Sequence, residues 1–103
     1  MYRATTPTHV FTLPFDTSTC TQIQVTYSQN DKTVLVKHYK DNTLPDGMTL
    51  DEEDVNIFLS QEETLLFGEG RAQAQIRVMT GGKVIASQKM NVPVHGVLNE
   101  EVI

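Results

Sequence analysis

The residues of this chain best suited to chemistry are its carboxylates and histidines. Asp51-Glu52-Glu53-Asp54 sets four acids in succession, a composition that invites calcium. Placing Gly47 at the sixth position of a calcium-binding loop puts Glu53 at the twelfth, where a bidentate glutamate belongs. The other positions fail: Asn42 would stand first, Leu44 third and Pro45 fourth, and no helical periodicity flanks the loop. The run is therefore expected to be a solvated acidic connection. His9, His38 and His95 are dispersed, without the closely spaced pairs that structural zinc sites use, and are read as surface or strand-end residues. Neither a metal site nor a cofactor is expected.

Nucleophilic chemistry has little to start from. Cys20 stands in Thr17-Ser18-Thr19-Cys20-Thr21 with no CxxC partner and no basic neighbour to favour its thiolate, so it reads as a small, partly buried residue. GxSxG, GxGxxG, P-loop and HExxH spacings are absent. Gly68-Glu69-Gly70 has the look of a phosphate-binding turn, but such turns open a helix and the residues that follow alternate like a strand. No catalytic residue is assigned. The best place for a ligand rim is His38 with Tyr39, at the end of a predicted strand.

These residues must be carried by short β elements. Phe11, Leu13 and Phe15 alternate with Thr12 and Pro14, and because Pro14 cannot donate to a ladder this strand belongs at an edge or ends there. Ile23, Val25 and Tyr27 form the next apolar stripe. Ser28-Gln29-Asn30-Asp31 makes the turn, and Val34, Leu35 and Val36 return. Residues 40–54 read as one long connection crossing between sheets, with a turn at Pro45-Asp46-Gly47. Val55, Ile57 and Leu59 resume the alternation.

Ser60 and Glu63 then form a capping box: the serine oxygen accepts from a backbone N–H while the glutamate reaches back to the serine N–H. This predicts a one-turn helix near residues 61–66, with Leu65, Leu66 or Phe67 closing the core. Ala72, Ala74, Ile76 and Val78 mark the clearest half-buried strand. Gly81-Gly82 turns it into Val84-Ile85-Ala86. Met90, Val92 and Val94 supply the last strand, while the segment 97–103 has no decisive period. About seven strands in 103 residues predict an all-β, immunoglobulin-like antiparallel β-sandwich, without the paired cysteines and tryptophan of antibody domains.

Composition bounds the rest. A chain of 103 residues suits a single domain, 1–103. Hydrophobic residues are 39% of the chain, and no apolar run approaches the ~20 residues of a membrane span. Net charge is −5, with seven acids and no base between residues 51 and 69. That surface would repel a phosphate backbone, so neither nucleic acid nor membrane is expected as a partner. One cysteine cannot form an internal disulfide, and Met1 to Pro7 lacks an apolar signal core. The chain is expected to stay in the reducing compartment where it is made.

Thr5-Thr6-Pro7-Thr8-His9, Leu13-Pro14-Phe15-Asp16, Leu59-Ser60-Gln61-Glu62-Glu63-Thr64 and Gln75-Ile76-Arg77-Val78 together resemble a family of small prophage and mobile-element proteins of gut Clostridia. The segment from Val55 to Val94 also resembles, less closely, the N-terminal β-sandwich domain of phage baseplate upper proteins. The resemblance implies a non-enzymatic structural or assembly protein, a baseplate or tail accessory that self-associates or binds a phage structural protein. It carries no counterpart of the stem and receptor-binding regions, so an adaptor role is expected rather than host recognition. The segment before Phe11 and the segment after Gly96 are the expected contact elements. The alternative is a soluble module for a carbohydrate or small ligand, with Tyr2, Tyr27 and Tyr39 as its only tyrosines and no tryptophan.

Overall fold

The computed structural model describes residues 1–103. Eight strands form two antiparallel sheets whose inner faces share one core, an all-β sandwich-like architecture. The smaller sheet has the order β1-β5-β4, made of Thr8–Thr12, Asp54–Phe58 and Met48–Asp51. The larger runs β3 (Lys32–Tyr39), β2 (Cys20–Gln29), β6 (Gly70–Thr80), β7 (Lys83–Ala86). β8 (Met90–Val94) pairs with the lower half of β6, below β7 on the same edge.

Period-two alternation explains the core. Ile23, Val25 and Tyr27 of β2 are fully buried, and Ala72, Ala74, Ile76 and Val78 of β6 lie beside them. Tyr27 stands opposite Ala74 in the ladder, a large ring beside a small side chain on one face. Phe11, Val55, Ile57, Leu59 and Met48 cover them from the smaller sheet. Phe67 closes the lower end, edge-on to the Tyr27 ring at 5.9 Å between centroids.

The turns follow their residues. Asn30 and Asp31 both have positive φ between β2 and β3, as do Gly81 and Gly82 between β6 and β7, matching strand twist. The capping box is present, and α1 spans Gln61–Thr64. Pro14 lies just beyond β1, which pairs only with β5 and is an edge strand.

One expectation needs correction, and two features go beyond what the stripes foretell. Residues 40–54 are not one connection: Met48–Asp51 is a strand paired with β5, and Asp51-Glu52-Glu53-Asp54 is the tight turn between them. The inward alternation of Met48 with Leu50 was masked by the acids that follow, and the extra strand raises the count from about seven to eight. In β3 the apolar triplet is not the core face. Val36 is exposed while Lys37 is buried, because Leu35, Lys37 and Tyr39 share the register side of Tyr27, Val25 and Ile23. Finally, β7 is a strand with no buried residue.

Candidate functional site

The densest polar cluster lies where the chain crosses from β5 to β6. Ser60 is extended at φ −80 and ψ 167, the geometry of an N-cap. Its Oγ accepts from the Glu63 N–H at 3.1 Å, and Glu63 Oε1 accepts from the Ser60 N–H at 2.9 Å. The second carboxylate oxygen, Oε2, accepts from Lys37 Nζ at 2.5 Å. Lys37 also donates to the Asp46 carbonyl at 2.8 Å. One ammonium therefore joins β3, the turn before β4 and the cap of α1.

Lys37 reaches this position because its strand phase points inward beside Val25, leaving its side chain 8% exposed. Gly47 makes room for it. Its φ is +79, and a Cβ there would lie 2.3 Å from the Phe58 carbonyl oxygen and 3.2 Å from Lys37 Nζ. Burial opposes ionisation of Glu63, but the hydrogen bonds from Lys37 and Ser60 and the ammonium charge outweigh it, holding the carboxyl below its ordinary value. A shallow cavity of about 430 Å³ opens over Lys37, Gly47, Phe58, Ser60 and Glu63. The Ser60 oxygen is already engaged as a cap, so the chemistry on offer is charge-assisted hydrogen bonding.

A second polar contact joins the sheets. Tyr27 Oη and His9 Nδ1 share a hydrogen bond of 2.7 Å, with Tyr27 wholly buried. Burial, and then the Glu63 charge, push the Tyr27 phenol up; burial pulls the His9 imidazole down. Cys20 is buried, and burial raises its thiol.

His38 and Tyr39 do not form one rim. Consecutive strand residues face opposite sides of a sheet. His38 Nε2 meets Gln22 Oε1 at 2.9 Å on the outer face, beside Gln24 and Arg77. Tyr39 turns toward the sandwich end, where its hydroxyl donates to Asn42 Oδ1 at 3.4 Å. There it lines a cleft of about 630 Å³ with Asp16, Asp41, Asn42 and Glu52. The histidines stay apart: His95 stacks near Tyr2 at 5.2 Å, and no three His, Cys, Asp or Glu side chains converge.

The two expected contact segments are both engaged with their own domain. Tyr2 bridges to His95 in parallel, and the Arg3 N–H donates to the His95 carbonyl at 2.9 Å. Arg3 pairs with Glu100, and Gln61 exchanges hydrogen bonds with the backbone of Ile103. Sequence reasoning found Ser60 and Glu63 but missed Lys37. The available signal was phase: a lysine between Leu35 and Tyr39 shares their side of the strand. No protein-family model matches the chain, and no curated protein matches it.

Proposed function

We propose that this chain is a non-enzymatic structural or assembly module, an immunoglobulin-like sandwich acting through protein–protein contacts at its strand edges. The observation that carries this reading is β7. All four of its residues are exposed, with Val84 at 57% and Ile85 at 46%, on a strand paired along one side only. Unpaired edges with apolar side chains are templates for strand addition. The sequence resemblance to prophage proteins and baseplate domains supports a phage context, as a baseplate or tail accessory in the bacterial cytoplasm or the virion. Mass photometry of the purified protein, alone and mixed with baseplate and tail proteins, tests it. Oligomers or a defined complex are expected; a strict monomer that joins no virion component overturns it.

The cleft at Tyr39 favours a second reading, a carbohydrate- or small-ligand-binding module. It combines one aromatic side chain with Asn42 and three carboxylates as hydrogen-bonding groups. A glycan array without a binder retires that reading.

A further inference from the structure

Beside β7 an apolar groove of about 240 Å³ opens between the sheets. Leu13, Pro14 and Phe15, which follow β1, form one wall; Ile76, Val78 and Ile85 form the other. The β6–β7 wall carries bases only, whereas Asp16 and Glu53 border the other wall. From Gly70 to Asn99 the chain carries Arg71, Arg77, Lys83 and Lys89 and no acid. Lys83 begins β7 and Lys89 follows it closely; both are exposed. A fitting occupant for the β7 side is an extended segment that combines apolar side chains with acids.

The chain contains such a segment. Val97-Leu98-Asn99-Glu100-Glu101-Val102-Ile103 has no base and no regular structure. Leu98 and Ile103 are fully exposed at 110% and 100%, so their own domain buries neither. Extended, the segment would set Leu98, Glu100 and Val102 on one side. Its present ties are surface contacts: Arg3 with Glu100, whose side chains are 23% and 38% exposed, and Gln61 with the Ile103 backbone. Such contacts contribute little and release cheaply.

We propose that residues 97–103 of a second copy add as a strand to the free edge of β7, seating Leu98 in the groove with the segment's acids toward Lys83 and Lys89. The inference rests on the assembly reading and names the partner and the site. The contact joins unlike surfaces, so copies connect head to tail into rings or filaments, or in pairs that exchange segments.

Sedimentation velocity of the full chain over a concentration series, at low and high salt, tests this. Concentration-dependent association that weakens with salt is expected. Leu98→Asp should weaken it by roughly 10- to 100-fold, the loss for an aliphatic side chain leaving an apolar pocket. Lys83→Glu should also weaken it, and Glu100→Lys, on the Leu98 side of the segment, added to that variant should restore it. Unchanged thermal melts separate these effects from misfolding, since Lys83 and Leu98 are exposed and Glu100 is held only by a surface pair with Arg3. If the chain associates but neither variant changes it, this inference falls while the assembly reading stands. If the chain is monomeric throughout yet binds a purified tail protein, the second copy is the wrong occupant. An Ile85→Cys/Leu98→Cys variant that forms its disulfide within one chain at high dilution, rather than between chains, overturns it as well.

Discussion

β2 and β7 belong to the same sheet, and both carry apolar residues between turns, the first in alternation and the second in a run, yet one is the centre of the core and the other buries nothing. β2 has a partner on each side, β3 and β6, and the smaller sheet lies over it. β7 has β6 on one side, an open groove in front and no strand beyond. Three strands cannot cover a sheet of five, so the outermost strand of the larger sheet is left bare. Burial of a strand's apolar residues thus depends on what lies above them, whereas forming a strand needs only a partner beside it. The contrast separates residues that hold the fold from residues free to take part in contacts.

The contrast predicts a graded series of stability effects. The largest belongs to the core: Phe67→Ala should cost about 3–5 kcal/mol in urea denaturation, since the ring is 1% exposed and fills the space below Tyr27. A cost under ~1 kcal/mol would mean that the lower end of the sandwich is loosely packed. Glu63→Gln comes next, at about 2 kcal/mol, because it leaves the Lys37 ammonium without its anionic partner. Lys37→Met, which removes the other charge, should behave differently, and comparing the two separates the ion pair from packing.

Ser60→Ala should cost about 1 kcal/mol, the usual worth of an N-cap, without moving the sheets. Val84→Ala on β7 should fall within about 0.5 kcal/mol of zero. If it costs as much as the cap, the bare edge is part of the fold after all and the contrast breaks.

Acid should expose the polar contacts in two stages. His9 has a lowered pKa in the folded state, so the unfolded chain binds its proton first and stability begins to fall below about pH 6.5. Glu63 is also lowered, so its contribution is present above the ordinary glutamate value and is lost as pH falls below about 4.3 and through the folded pKa. His9→Gln should remove the first stage, and Glu63→Gln should weaken the second. Denaturation midpoints measured across pH check both, and a wild-type curve flat from neutral pH to pH 5 would remove His9 from the account.

Much of the architecture was legible because strand stripes and turn chemistry are local. Ile23-Val25-Tyr27 and Ala72 to Val78 announce their faces by alternation, and Asn30-Asp31 and Gly81-Gly82 announce hairpins by their tolerance of positive φ. Ser60 and Glu63 were legible for the same reason, since a capping box is complete within four residues. β4 was hidden because four residues are too few for a pattern when acids surround them. Lys37 was hidden because lysine is rarely buried, and only its distant partners, the Asp46 carbonyl and Glu63, make that position tenable. His38 and Tyr39 were grouped by adjacency along the chain, while the pleat sends them to different faces.

Side-chain period and turn residues are properties of a few neighbouring positions, and they were enough to make this chain all-β, with its hairpins and its capped turn in place. Which stripe is covered, which edge stays open and which lysine meets which glutamate are settled by contacts between residues far apart in the chain. Those choices depend on how many strands each layer holds and how they are offset, and no local window contains that information.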